Sequence, residues 1–278
     1  MALSIETHQR RGVSWANFEN APSTPPPEVS ETTLASTSIQ HDTTPVVAVI
    51  GCGYVGAHLV EIFGQHFEVV AFDVSEARMK TFSAECKYWP KVQCTTTPSD
   101  LVRATHFLIS VPTLLTADKK SVDTSYVRSA ISTVMTYART GATIVIESSV
   151  AVGMTRSLLE ALVTERGLLA GMSPERVDPG RSWPPLENVA KIISGLNPES
   201  LESIKRIYDV AFSNLVCVSS PEVAEMTKLY ENCQRMVCIA FANEMSDACA
   251  GHNIDPYEVS RAAATKPFGF MPYTPSMG

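Results

Sequence analysis

No uninterrupted apolar run in this sequence approaches the ~18 residues that a helix needs to cross a bilayer, so no membrane partner is expected. Clustered basic residues are also missing. The 22 Lys and Arg are scattered among 29 Asp and Glu, the formal net charge is -7, and nothing resembles the electrostatic footprint of a nucleic-acid-binding protein. The cysteines (Cys52, Cys86, Cys94, Cys217, Cys233, Cys238 and Cys249) are odd in number and lack metal-ligand spacing, which argues against a disulfide framework and a metal site. No charged, apolar and small-residue regions in succession mark a signal peptide, and a reducing, cytoplasmic location fits best. The sequence does hold hydrophobic residues, 45% of 278, against only 18% charged, enough to bury a sizeable core.

Of the first 45 residues, 18 are Ser, Thr or Pro, without helical or strand periodicity, and residues 1–44 read as a disordered tail. Acidic residues at Glu6, Glu19, Glu28 and Glu31 speak against a transit peptide. From Pro45 the texture changes. A short apolar run, Val46 to Ile50, leads through a glycine cluster into a helical pattern and a second run, Glu68 to Phe72, as in a βαβ unit. Further runs at His106 to Val111 and Thr143 to Ile146 are separated by helix-like segments. One is Thr124 to Ala138, with apolar positions at Val127, Ile131 and Val134. This alternation predicts a doubly wound parallel sheet covered by helices, over residues 45–219. After Ser219 a long helix is expected, with Ser220 as N-cap, Pro221 at the first helical position and Gly251 as its stop. At 1.5 Å per residue it would extend roughly 45 Å, enough to link domains or pack against a second subunit. Residues 220–278 then form this helix and the start of an all-α middle domain. The cysteines on the helix, Cys233, Cys238 and Cys249, are expected to be small buried residues.

Gly51, Gly53 and Gly56 in GCGYVG follow the first strand directly and open a helix, and Asp73 ends the second strand. In such a Rossmann-like fingerprint the glycines make a tight turn, let backbone N–H groups approach a pyrophosphate and allow helix and sheet to pack closely. The acid accepts hydrogen bonds from the adenosine ribose and repels an extra phosphate, so NAD is favoured over NADP.

Four further segments occur in order: Ser110-Val111-Pro112-Thr113, Glu147-Ser148-Ser149-Val150, Ser173-Pro174-Glu175-Arg176-Val177-Asp178-Pro179-Gly180, and Lys228-Leu229-Tyr230-Glu231-Asn232. With the fingerprint they resemble the UDP-glucose/GDP-mannose dehydrogenase family over roughly residues 45–278. The resemblance implies two successive oxidations of a nucleotide-sugar C6 hydroxyl, passing two hydrides to two NAD+. SPERVDPG and Ala264-Thr265-Lys266-Pro267-Phe268-Gly269-Phe270 look more like the UDP-N-acetylglucosamine and UDP-N-acetylmannosamine branches than the UDP-glucose branch.

The resemblance also assigns roles. Cofactor contacts would come from Gly51, Gly53, Tyr54, Val55 and Gly56, from Asp73, from Val111, Pro112 and Thr113, and from Glu147 and Ser149. Substrate contacts would come from Glu175, Arg176, Lys228, Asn232 and the Phe268-Gly269-Phe270 loop. As catalytic groups, the Lys228 ammonium can stabilise charge developing on the sugar oxygen, and Asn232, four residues on, adds a second donor on the same helix face. Without the resemblance, Lys228 and Asn232 with Glu225, Glu231 and Arg235 would read as a solvated polar stripe. Glu175 can serve as general base on the water that hydrolyses an acyl intermediate. Ser149 stands where the family usually has threonine and keeps the hydroxyl that helps to hold a catalytic water. The family's nucleophilic cysteine, in a Gly-Gly-His-Cys-Ile-Pro segment, would fall shortly after Gly278, as would its UDP-binding domain and an aspartate that assists Lys228 and Asn232. No cysteine present fills the nucleophile's place, so the chain alone is expected not to complete the reaction. A homodimer through the long helix is expected. The competing readings are a non-catalytic NAD-binding or dimerising protein, and a 3-hydroxy-acid or 6-phosphogluconate dehydrogenase built the same way.

Overall fold

The computed structural model describes residues 44–118, 120–176 and 188–268. The expected tail, apart from Thr44, lies outside these residues, as do Val177 to Gly180, Gly269 and Phe270. Strand β1 (Val46–Ile50) leads into helix α1 (Tyr54–Gly64) and parallel strand β2 (Glu68–Phe72), so the expected βαβ unit forms with the anticipated strand bounds. Helix α2 (Glu76–Glu85), strands β3 (Val92–Thr95) and β4 (His106–Ile109), and a small hairpin of β5 (Leu114–Leu115) and β6 (Val122–Asp123) follow. Next come α3 (Ser125–Tyr137), β7 (Thr143–Ile146), α4 (Met154–Arg166), β8 (Leu169–Met172), β9 (Lys191–Gly195), α5 (Pro198–Ala211), β10 (Leu215–Cys217), α6 (Pro221–Gly251) and α7 (Pro256–Ala263).

The main sheet has the order β10-β9-β8-β7-β4-β1-β2-β3. Its strands read as continuous apolar runs because helices cover both faces. Along β1, Ala48 and Ile50 face one core with Ile144 and Ile146 of β7 and Val127, Ile131 and Val134 of α3. Val47 and Val49 face the other, with Leu59 and Phe63 of α1 and Ile204 and Tyr208 of α5. The three apolar positions expected on α3 are all buried there. One junction departs from the expected parallel sheet: β8 and β9 pair antiparallel, through Gly171 with Gly195 and Met172 with Ser194. A Cβ on Gly171 would lie 1.9 Å from the Ser194 carbonyl oxygen, so only glycine permits this approach. The expected strand from His106 to Val111 ends at Ile109, and Val111 to Thr113 form a loop at its carboxyl end.

Helix α6 spans 31 residues with Ser220 as N-cap, Pro221 in its first turn and Gly251 at its end, as the sequence indicates. Its first turn is anchored by charge. Helix α4 begins at Gly153, whose φ of 84° and missing side chain leave its N-terminus without a local cap. The buried Glu225 carboxylate of α6 supplies one, accepting from the N–H groups of Gly153 at 2.6 Å and Thr155 at 2.8 Å. Glu222 pairs with Arg156 of α4 at 2.6 Å. Beyond this turn an apolar stripe of Met226, Tyr230, Val237 and Phe241 is exposed in the single chain. Cys233 lies at the same helical spacing and is exposed, and Cys238 is half-buried. Only Cys249 is buried as expected. Period 3.6 locates such a stripe on a helix but does not say what covers it.

The Arg156 guanidinium holds the Glu222 carboxyl at about 2, below its ordinary 4.5. A depressed carboxyl contributes stability that is present above the unfolded value and is lost as pH falls through the folded one. Thermal denaturation of Glu222→Gln beside the parent chain should therefore show the parent's advantage shrinking between about pH 4.5 and about pH 2. Parallel melting curves across that window would contradict this assignment.

Candidate active site

The glycine turn lies where the sheet order reverses, between the carboxyl ends of β1 and β4, the switch point at which open α/β sheets bind ligands. Gly51 has φ 93°, and a Cβ there would lie 3.0 Å from the Ser110 carbonyl oxygen. Gly56 is closed more tightly, because its Cβ would come within 1.9 Å of the Gly51 carbonyl oxygen. Gly53 differs: a Cβ there meets no atom within 4 Å, which leaves its backbone open to a ligand at the start of α1. These residues fit a dinucleotide pyrophosphate. Asp73 stands at the end of β2 and accepts from the N–H groups of Cys52 at 2.8 Å and Ser75 at 2.9 Å, so the acid also braces the glycine turn. Arg78, which the sequence reading did not single out, donates its Nε to the Cys52 carbonyl at 2.6 Å beside this carboxylate. Tyr54 is exposed and Val55 is partly buried against the core.

Hydrogen bonds run from this turn across the carboxyl edge of the sheet. The Ser110 hydroxyl donates to the Gly51 carbonyl at 2.8 Å, and the Ser148 hydroxyl donates to the Val111 carbonyl at 2.6 Å. Glu175 N–H donates to the Glu147 carbonyl at 3.4 Å, and Lys228 Nζ donates to the Glu175 carbonyl. Glycine turn, β4 loop, β7 loop, Glu175 and α6 thus form one connected rim. Pro112, Thr113 and Ser149 lie on it, Pro112 and Ser149 exposed and Thr113 half-buried. Glu147 lies beneath, fully buried, so its carboxylate faces the interior.

Under Glu175 is a group that sequence reasoning missed. Lys191, at the first position of β9, places Nζ 2.6 Å from Glu147 Oε2, 3.3 Å from the Pro174 carbonyl and 3.7 Å from Glu175 Oε2. The Tyr208 hydroxyl of α5 donates to the other Glu147 oxygen. Burial pushes the Glu147 carboxyl above its ordinary value, with Lys191 opposing, and burial followed by the Glu147 charge pushes Tyr208 upward. The one sequence signal was a lysine opening an otherwise apolar run, Lys191-Ile192-Ile193, which demands an internal partner.

Lys228 and Asn232 share α6 but have separate partners: Asn232 Oδ1 accepts from Arg235 at 2.9 Å. Burial pulls the Lys228 ammonium below its ordinary value, while the charges of Glu175 and Glu231 oppose. Arg176, expected to meet substrate, donates to the Ala190 carbonyl at 2.8 Å and pairs with Glu231 at 2.5 Å, tying the Glu175 turn to α6. Phe268 is 70% exposed, away from any core. Among the described residues no cluster of His, Cys, Asp and Glu could hold a metal ion, and no helix is long and apolar enough to cross a membrane.

A glycine turn at the switch point and an acid after β2, with a lysine-bearing helix along the same rim, define a dinucleotide-binding, Rossmann-like class of domain. The sequence matches the NAD-binding domain of the UDP-glucose/GDP-mannose dehydrogenase family over residues 46–212 and the central domain of that family over residues 222–278. The chain belongs to this family. It is 32% identical to a UDP-N-acetyl-D-glucosamine 6-dehydrogenase of Pseudomonas aeruginosa over 250 residues, covering 83% of this chain and 59% of that protein. It is 30% identical to a UDP-N-acetyl-D-mannosamine dehydrogenase of Methanococcus maripaludis, covering 80% and 55% respectively. The chain thus spans under three-fifths of the length of these relatives. Among solved structures, a UDP-D-ManNAc dehydrogenase from Pyrococcus horikoshii superposes with a TM-score of 0.75 at 28% identity, covering 84% of this chain and 60% of that one.

The Cβ geometry separates ligand binding from folding. Gly53→Ala should melt close to the parent chain yet lose NAD affinity in calorimetric titration, because its methyl group occupies the open approach. Gly56→Ala should lose about 1–3 kcal/mol of stability from overpacking. Undiminished NAD affinity in Gly53→Ala would place the pyrophosphate elsewhere.

Proposed function

We propose that this chain binds NAD+ and positions the C6 hydroxyl of a UDP-N-acetylhexosamine for hydride transfer, as part of a nucleotide-sugar 6-dehydrogenase. What carries the reading is the rim that connects the glycine turn to Glu175 and Lys228. Both relatives named above act on UDP-N-acetylhexosamines by name, which favours that sugar over UDP-glucose. NAD+, when bound, supplies the hydride acceptor. The chain's own residues do the rest. Asp73 presents a carboxylate to the adenosine ribose and disfavours a 2′-phosphate. The Lys228 ammonium stabilises charge developing on the sugar oxygen, and the Asn232 amide lies one turn further along the same helix. Glu175, a carboxylate at the rim, takes a proton from a water in this reading, and Ser149, exposed in the β7 loop, supplies a hydroxyl. The stripe of Met226, Tyr230, Val237 and Phe241 supports a homodimer through α6, since monomers rarely expose so continuous an apolar surface.

Titration calorimetry should show NAD+ binding with NADP+ disfavoured. Asp73→Asn should weaken NAD+ by roughly 10–100-fold, the worth of a charge-assisted hydrogen bond of about 1.5–3 kcal/mol, and narrow the discrimination. With UDP-N-acetylglucosamine or UDP-N-acetylmannosamine added, NADH formation read at the nicotinamide absorbance should fall about 100-fold in Lys228→Ala with NAD+ affinity kept. Equal affinity for the two dinucleotides, or turnover indifferent to Lys228, would overturn this reading.

A further inference from the structure

Beneath the Glu175 turn lie Lys191, Glu147 and Tyr208, to which the function just described gives no step; Glu147, expected to contact the cofactor, is fully buried and gives both carboxylate oxygens to the other two. Taking charges from water is costly, and an apolar filling of the same space is often as stable, so a buried ionic group here invites explanation. A structural ion pair would be complete with one carboxylate. Lys191 instead spreads its ammonium over two carboxylates and a carbonyl, and the second carboxylate belongs to Glu175. A proton relay fits poorly, because the chain of donors runs inward to Tyr208, which is fully buried and packed against the rings of Phe63 and Phe212. A path that ends in the core holds charge in place. A second lysine reaches the same residue: the Lys228 ammonium donates to the backbone carbonyl of Glu175. Glu175 therefore lies between two lysines, one on β9 and one on α6.

We propose that Lys191 is a positioning residue of the active site: pinned by Glu147 and the Pro174 carbonyl, it draws the Glu175 carboxylate toward β9 and so sets the charge that Lys228 experiences. The catalytic meaning of this link rests on Lys228 acting as the oxyanion donor, whereas the link itself is electrostatic and is present without nucleotide. The groups facing Lys228 are Glu175 after β8, Lys191 on β9, and Glu231 and Arg235 on α6 itself. Removing Lys191 takes away a repelling cation and frees an attracting carboxylate, and both act on Lys228 in the same direction.

The test is competitive acylation of the intact, nucleotide-free chain with trace acetic anhydride across pH, with the Lys228 peptide quantified by mass spectrometry. Lys191→Met should move the Lys228 labelling midpoint to higher pH, Lys191→Arg should keep it at the parent value, and Glu175→Gln should move it lower. Because Lys191→Met alone strands Glu147 in the core and can fail to fold, the double variant Glu147→Gln/Lys191→Met removes both buried charges and must show the same upward shift. A double variant that melts like the parent with the Lys228 midpoint unmoved overturns the proposal, as does an arginine variant that shifts as far as methionine. Failure of NAD+ to bind would count against the function proposed above and leave this measurement readable, since the assay contains no nucleotide.

Discussion

The contribution of α6 to the site depends on the Glu225 carboxylate that caps α4. Helix α4 starts on a glycine in a left-handed conformation, and its first N–H groups would otherwise be buried without acceptors. Glu225 meets that need from another element and thereby fixes the angle and rotation of α6 against the sheet. Lys228 is three residues further on and shares its face, so the same constraint delivers its ammonium to the Glu175 carbonyl. A helix held only by apolar contacts could slide or rotate by a fraction of a turn at small cost. One held by a carboxylate bonded to two N–H groups cannot do so without leaving buried donors unpaired.

Charge is arranged so that each buried ion has a partner on a different strand or helix. Glu147 comes from β7, Lys191 from β9, Tyr208 from α5 and Glu175 from the segment after β8. The antiparallel turn-back of β9 onto β8 makes this possible, because it sets the amino end of β9, and with it Lys191, at the carboxyl edge of β7 and β8. A wholly parallel sheet would carry the first residue of β9 to the opposite edge. The departure from parallel order is thus the feature that brings a cation under the Glu175 turn.

Legibility in the sequence followed the range of the interaction. Strands β1, β2 and β7 were readable to their ends because continuous apolar runs bounded by glycine or charge specify a strand buried on both faces. Helix α3 differed by one residue at each end, where capping rather than periodicity decides. The glycine fingerprint was readable because its spacing is itself the local geometry. Lys191 was not, since its partner Glu147 lies 44 residues away and no local pattern announces which carboxylate a lone lysine meets. Glu225, which without the family resemblance would read as part of a solvated stripe, is buried, and its partners are 70 and 72 residues distant. Cys233 shows the opposite failure, in which the helical period was right but the covering surface was assumed.

The spacing of Lys228 and Asn232 predicts two donors converging on one oxyanion; Lys228 donates to the Glu175 carbonyl, whereas Asn232 accepts from Arg235 through Oδ1, a bond that does not use its amide N–H groups. This arrangement suits the proposed chemistry. A neutral carbonyl keeps the ammonium ordered and in place at modest cost, whereas an oxygen gaining negative charge forms a charge-assisted bond roughly twice as strong. A neutral sugar hydroxyl gains little by displacing the carbonyl; an alkoxide-like oxygen gains much. The interaction is therefore weaker with the ground state than with the transition state, which is the condition under which binding accelerates a reaction. The Glu175 carboxylate is met by Lys191 and by the Arg176 N–H, and the Arg176 guanidinium bonds the Ala190 carbonyl, so the proposed competition at the Glu175 carbonyl has defined supports on β9 and beside it.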